Sequence, residues 1–357
     1  MAGIPATFGG YPFDPDVYGS FIDQEPTFTD NIIASQVVAS DQSMADLLDN
    51  GGTVGTIRFY NPPDPEADPP LARDGDTDNT PVETAGGKQS WIRIDRMKAW
   101  KAKQLTREIT AAEPMRYLAR TVGAYWRNYW QGLMIKIAGT VTGLTGLESH
   151  VINATNGVTG ALLIDGQQAA LGDFANKFGL IAMHSKIAAE YKKMGLIDYN
   201  RFTITNVLQR EVELPTLNGL IVLENDRGTF DNTNYSCFLF GAGAFLTAEP
   251  RVITPDFTDY DPETDGGTDK LYTNRSMILH PNGVSFKPDA IAKQTPTDTE
   301  LATATNWDLR YNAKNVRIAK LVIPASQLDA GDQSRITIPV NSTTTVEGTV
   351  QTEAAGA

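Results

Sequence analysis

Three histidines, one cysteine and forty-three carboxylates are the side chains of this 357-residue sequence that could ligate a metal, attack an electrophile or carry a proton. Their spacing gives them little to work with. His150, His184 and His280 stand apart from one another and from Cys237, so neither a His-Glu-X-X-His pair nor a Cys/His zinc spacing can be drawn. Cys237 lies in the apolar stretch Tyr235-Ser-Cys-Phe-Leu-Phe240, where a thiol reads as a small buried hydrophobe, and a single cysteine cannot close an intrachain disulfide. Gly-X-Ser-X-Gly is absent, Gly241-Ala-Gly243 lacks the third glycine of a dinucleotide loop, and Gly86-Gly-Lys-Gln-Ser90 lacks the earlier glycine of a phosphate loop. Asp74-Gly-Asp76-Thr-Asp78 alternates carboxylates as a calcium loop does, but Asn79 and Ala85 stand where an EF-hand needs glycine and glutamate. No spacing singles out a carboxylate pair for glycoside hydrolysis. The sequence therefore predicts no catalytic, cofactor-binding or metal-binding residue.

The charges are instead segregated along the chain. The formal net charge of −13 opposes a general nucleic-acid binder, which needs clustered Lys and Arg. Residues 1–90 hold fifteen acids and three bases, whereas residues 91–140 hold three acids and ten bases. Such blocks of opposite sign, joined end to end, can satisfy each other between copies of one chain.

The elements that carry these charges can be read in order. Residues 1–30, rich in Gly, Pro and Asp with scattered aromatics, read as an extended arm. A short helix is predicted from about Ser43 to Asp49, then a strand over Thr53–Tyr60 and a second over Lys88–Asp95. Between them lies the proline-rich acidic stretch from Asn61 to Gly87, so the unit reads as a two-stranded ribbon with a long acidic tip. A loop of that length inside a compact domain is uncommon, which favours a projection that meets another chain. A basic connector (Arg96, Lys98, Lys101, Lys103, Arg107) leads to the strongest helix signal. There Thr110-Ala-Ala-Glu113 matches a capping box, Pro114 suits a first helical position, and Met115, Leu118, Val122, Tyr125, Trp126, Tyr129 and Leu133 recur at helical spacing. Arg116, Arg120 and Arg127 fall mainly off that stripe.

Further on, a second helix is predicted over Phe174–Met194 with Asp173 as its N-cap and Gly195 past its end. Strands are predicted over Arg201–Val207, around the Asn218-Gly219 turn, over Tyr235–Phe240, on either side of Asn282-Gly283, and over Val316–Ile323. The acidic stretch Asp256–Asp269 reads as a surface loop and residues 341–357 as a flexible tail. The longest apolar run, Cys237–Ala248, is too short to cross a membrane. The start lacks the charged head and apolar core of a secretory signal, which implies a reducing intracellular setting.

This order of parts, with Ala112-Glu-Pro-Met-Arg-Tyr-Leu-Ala-Arg-Thr-Val-Gly-Ala-Tyr-Trp-Arg-Asn-Tyr-Trp130 inside the long helix and Met183-His-Ser-Lys-Ile-Ala-Ala-Glu-Tyr-Lys-Lys-Met-Gly-Leu-Ile-Asp198 further on, resembles the major capsid proteins of tailed bacteriophages. The resemblance implies an α+β capsid fold. Residues 1–50 would be its N-terminal arm, 51–97 its extended loop, and 98–142 the peripheral domain with the spine helix. Residues 143–310 would be the axial domain, 311–340 a return that closes the peripheral sheet, and 341–357 a tail. It implies a non-enzymatic shell subunit, assembled in the host cytoplasm into hexamers and pentamers of a virion capsid. That shell encloses dsDNA, with a separate scaffolding protein, a portal and a decoration protein as candidate partners. An encapsulin-type shell shares the fold; a tail-tube protein and a carbohydrate-active hydrolase are the other readings. The expected contacts between subunits join Asp64, Glu66, Asp68, Asp74, Asp76 and Asp78 to Arg93, Arg96, Lys98, Lys101, Lys103, Arg116, Arg120 and Arg127 of a neighbour. Met115, Leu118, Val122, Trp126, Tyr129 and Leu133 are the expected core of the spine helix.

Overall fold

The computed structural model describes residues 37–48 and 51–328, apart from positions 64, 67, 74–77, 79–80, 82, 84–85, 111–112, 155–156, 205–209 and 265, together with residues 7–8 and 11–12. Near the start, β1 (Thr7–Phe8) and β2 (Tyr11–Pro12) pair antiparallel. The rest of the expected arm up to residue 36, and the tail, lie outside the described residues. β3 (Val38–Ser40) leads into α1 (Gln42–Asp46), whose N-cap Asp41 accepts from the Ser43 amide at 3.1 Å.

Alternation then builds the ribbon. β4 (Val54–Tyr60) and β5 (Gly86–Lys103) pair antiparallel from Val54 opposite Ile92 to Tyr60 opposite Gly86. Trp91 is fully buried, and a Cβ on Gly55 would lie 2.1 Å from its ring, so only glycine lets the two strands close over the indole. Gly55→Ala is expected to cost about 1–3 kcal/mol by overpacking. Hydrogen exchange should show lost protection over Val54–Tyr60 while α3 stays protected; unchanged protection in the strand would refute the close fit.

β5 does not end where a basic connector was expected. Arg93 to Lys103 continue as strand because a continuous ladder pairs them with Ile278 to Thr268 of a later strand, although apolar alternation fades after Ile94. α2 (Gln104–Thr110) follows, and α3 runs over Pro114–Val141. The capping box is not made: Thr110 ends α2, Glu113 is the N-cap without a side-chain cap bond, and Pro114 alone marks the start. At 28 residues α3 is about 42 Å long. Val122, Trp126 and Leu133 are buried as expected, Met115, Leu118 and Tyr129 half-buried. Tyr125 lies at the rim with its ring edge-on to Trp100. From Trp130 onward Gln131, Met134, Ile135, Ile137, Ala138 and Val141 are buried as well, so the stripe widens until the helix is enclosed.

What encloses it is a second sheet. In chain order come β6 (Val151–Asn153), α4 (Gly160–Leu171), β7 (Phe178–Met183), α5 (Ser185–Lys193), β8 (Ile197–Ile204), β9 (Arg210–Leu217), β10 (Leu220–Glu224) and β11 (Asn234–Gly241). After them come β12 (Phe245–Ala248), β13 (Asp256–Asp261), β14 (Thr268–Pro281), β15 (Val284–Phe286), α6 (Asp298–Leu301), β16 (Trp307–Leu309) and β17 (Ile318–Pro324). Seven strands form a mixed sheet in the order β6-β17-β11-β7-β10-β9-β8. On its central strands Leu180, Ala182, Phe238, Phe240 and Ile318 face α3, while Ile181, Met183, Cys237, Leu239 and Leu321 face Leu163, Ile187 and Tyr191 of α4 and α5. Burial on both faces accounts for their nearly continuous apolar sequence.

The same property misled the sequence reading of Phe174–Met194. That segment is not one helix: Gly172–Lys177 is a 3₁₀ turn, β7 follows, and α5 begins after His184, which replaces Asp173 as the N-cap. An apolar run such as Phe178-Gly-Leu-Ile-Ala-Met183 carries no period that separates a buried strand from a buried helix. α4, capped by Thr159 through a 3.2 Å bond to the Leu162 amide, was not anticipated.

Three further expectations change. Asp256–Asp269 is not a loop throughout, since β13 pairs with β14 along its edge; β13 is exposed as foreseen, whereas Thr268 at the start of β14 is buried. The strands beside Asn282-Gly283 do not pair with each other: β14 pairs with β5, β12 and β13, and β15 with β16. Residues 318–324, expected to close the peripheral sheet, lie instead in the seven-stranded sheet. The ribbon's own sheet, β3-β12-β14-β5-β4, is completed by residues 245–281. The Asn218-Gly219 hairpin forms as expected, with φ of 51° and 80°.

A candidate assembly surface on the ribbon and the long helix

The groups with chemical potential are employed in packing. Cys237 is buried and its thiol is pushed up to about 12 by desolvation. His184 caps α5 and lies 3.5 Å from Asp226; burial holds it neutral below its ordinary value. His150 Nδ1 lies 2.7 Å from the Ile318 carbonyl, and burial lowers its pKa too. His280 is enclosed beside Trp307 with Nε2 unpartnered, and desolvation takes its pKa down to about 3. Among the described residues no cluster of three His, Cys, Asp or Glu could hold a metal ion.

His280 carries a pH prediction. Its folded pKa lies below the unfolded value near 6.5, so the unfolded chain gains the proton first and stability falls as pH drops from about 6.5 toward 3. The limiting slope is about 1.4 kcal/mol per pH unit for this one residue. Urea midpoints between pH 7 and 5 should fall less steeply for His280→Gln than for the parent; equal slopes would contradict the assignment.

The expected contact residues divide into two groups. Arg96 is engaged inside its own subunit. Its Nε donates to the Tyr129 hydroxyl at 2.6 Å, its Nη2 pairs with Asp298 Oδ1 at 2.8 Å, and the Tyr129 hydroxyl donates to the same oxygen at 2.7 Å. Desolvation, then the bond to Asp298, pushes Tyr129 up to about 12, so it remains a donor. This clasp joins β5, α3 and α6, and nothing in the spacing of residues 96, 129 and 298 announces it. Arg93 likewise pairs with Asp95 on its own strand at 2.8 Å.

The remaining bases face outward. Lys98, Lys101 and Lys103 are exposed on β5, with Lys101 in register with Lys270 of β14. Arg116, Arg120 and Arg127 are exposed on α3. At 100° per residue these three fall within about 40° of one another and span about 16 Å, which makes a single basic face. Arg116 also meets Glu113 at 3.3 Å at the helix start. Of the acids, Glu66, Asp68 and Asp78 are exposed beyond the paired part of the ribbon, and Asp64, Asp74 and Asp76 lie outside the described residues.

A paired ribbon leading into a helix-backed sheet, with a second mixed sheet beneath the same helix, is the fold of phage and bacterial shell proteins. The chain is similar over 87% of its length to a chain of Mycobacterium phage Che8 that it covers to 96% (TM-score 0.52, 10% identity). It is similar over 91% to the capsid of cyanophage Pam1, which it covers to 99% (TM-score 0.52, 9% identity). An encapsulin complex from Synechococcus elongatus has the same fold over 86% of this chain and 91% of its own (TM-score 0.50, 8% identity). No protein-family profile matches. In sequence, the chain is 26% identical over 314 residues to the major capsid protein of Bacillus phage SPP1, covering 86% of this chain and 94% of that one. The chain is thus similar in sequence to a phage major capsid protein and has the fold of phage capsid and encapsulin shells.

Proposed function

We propose that this protein is the major capsid subunit of a tailed phage, a non-enzymatic component that assembles into hexamers and pentamers of an icosahedral shell around dsDNA. The observation that carries this reading is the sequence relationship to a phage major capsid protein across nearly the whole of both chains, on a capsid fold. Encapsulin shells share the fold at 8% identity, without a comparable relationship in sequence. Copies of the chain are its principal partner, with a separate scaffold, a portal and a decoration protein as further candidates. An acidic chain is compatible with confined DNA, which needs no adhesive wall.

Assembly in this reading uses the carboxylates of the ribbon tip against the basic face of a neighbour, chiefly Arg116, Arg120, Arg127, Lys98, Lys101 and Lys103. Individually weak charged contacts let a growing shell correct misplaced subunits. The test is electron microscopy after size-exclusion chromatography, with the protein expressed alone and with its neighbouring genes. Closed shells tens of nanometres across are expected. DNA with portal components inside supports the phage reading, and an enzyme cargo the encapsulin one. A lasting monomer or dimer under both conditions would overturn both.

A further inference from the structure

Where the paired part of the ribbon gives way to its tip, a cleft of about 640 Å³ opens between the end of β4 and the segment around residues 310–317. Its walls are aromatic and proline-rich: Phe59 meets Tyr311 edge-on at 4.7 Å, Tyr60 is 84% exposed, and Pro62, Pro63 and Pro65 continue the wall. Three bases, Arg310, Lys314 and Arg317, line it, and no described lining residue is a carboxylate. Arg310 shares Asp308 with Lys287, at 3.3 and 3.0 Å. Arg317 donates to the Ala242 carbonyl at 2.6 Å, and Lys314 makes no ion pair among the described residues. Such a surface fits an extended acidic peptide with aromatic side chains.

The chain itself contains such a peptide. Residues 13–36 hold Asp14, Asp16, Asp23, Glu25 and Asp30, no Lys or Arg, and the aromatics Phe13, Tyr18, Phe21 and Phe28. The described chain resumes beside the cleft. The Val37 carbonyl accepts from the Phe245 amide at 3.2 Å, the Ala244 carbonyl accepts from the Asn282 amide at 2.9 Å, and Asn282 lines the cleft. Arg317 reaches the same turn at Ala242.

We propose that this cleft is the seat of residues 13–36 of the same chain, held by Arg310, Lys314 and Arg317 against the wall made by Phe59, Tyr60 and Tyr311. Attachment at Val37 makes the encounter intramolecular, so a modest charge match is enough to fill the cleft. Occupation would brace the end of β4 where the ribbon's pairing stops. The proposal does not rest on the capsid reading, since it concerns one subunit and can be tested before any assembly.

Cysteine pairs in the full-length chain provide the test, because native Cys237 is buried. Lys314→Cys is combined in turn with single cysteines at positions 18–32 and oxidised in the unassembled subunit. At least one pair is expected to lock within a monomer, with loss of both thiols and no change of mass on a non-reducing gel. Dimers and larger ladders alone would mean that the cleft takes a neighbour's segment, and no crosslink at any position would mean that it is not the seat; either result overturns the proposal. As a second readout, the double variant Lys314→Glu, Arg317→Glu should raise chymotryptic cleavage among Phe13, Tyr18, Phe21 and Phe28 about tenfold. An unchanged cleavage rate would count equally against it.

Discussion

Deletion of residues 62–82 should give a subunit that folds and purifies but forms no closed shells. Strand pairing in the ribbon ends at Tyr60 and Gly86, and the described residues among 62–82 add no ladder to either sheet and no side chain to the three buried clusters. Closing the shortened loop alters the chain entropy by only about 0.6 kcal/mol per halving of loop length. Six of the candidate assembly carboxylates leave with the segment. Thermal unfolding should therefore stay close to that of the parent, while chromatography and electron microscopy find only free subunits or small oligomers. Normal shells from the deletion would remove the ribbon tip from the account of assembly. Reversing Arg116, Arg120 and Arg127 to Glu should give the same phenotype without touching the loop, and partial defects should grow worse with added salt.

The largest effect on stability is expected from Trp130→Ala. Trp130 is 4% exposed, stacks on Trp126 with ring centroids 6.3 Å apart, and meets Tyr129 edge-on at 5.1 Å. Removing a buried indole costs about 3–5 kcal/mol when the surroundings cannot collapse, and here they are a helix fixed between two sheets. The loss should be global. The cluster that contains Trp130 also contains Ile94 and Met277 of the ribbon's sheet and Leu180, Phe238 and Ile318 of the seven-stranded sheet. Denaturant unfolding followed by tryptophan fluorescence and by far-ultraviolet circular dichroism should shift together. Two separated transitions in the variant would show that the sheets do not share one core.

What could be read from the sequence depended on whether an element has one buried face or two. The first ribbon strand and the first part of α3 alternate or repeat because one side meets solvent, so a strand over Thr53–Tyr60 and a helix starting at Pro114 are legible within a residue or so. β7 and the last part of α3 are covered all round, so period vanishes from their sequence and nothing in Phe178–Met183 separates strand from helix. The exposure of Arg116, Arg120 and Arg127 is legible because a charged side chain off an apolar stripe is a local signal. The clasp made by Arg96 is not legible, because its partners, Tyr129 and Asp298, are 33 and 202 residues away, and no spacing rule spans that distance. The cleft at the end of β4 is not legible for the same reason: Phe59 and Tyr60 are some 250 residues from Arg310, Tyr311 and Arg317 in the chain.

The common core around α3 bears on where a shell built from this subunit can bend. A helix enclosed on one side by the β14-β5 sheet and on the other by β7, β11 and β17 leaves no soft joint between them, because packed interiors resist compression and transmit strain. A hexamer and a pentamer made from one such chain differ in local curvature. In the proposed shell that difference falls on the seams between subunits and on the two-stranded ribbon, which is paired along one edge only. Internal pressure from tightly wound DNA would pass through each subunit as through a stiff tile, so the wall should yield first along its seams, and substitutions that soften or strengthen it should concentrate there.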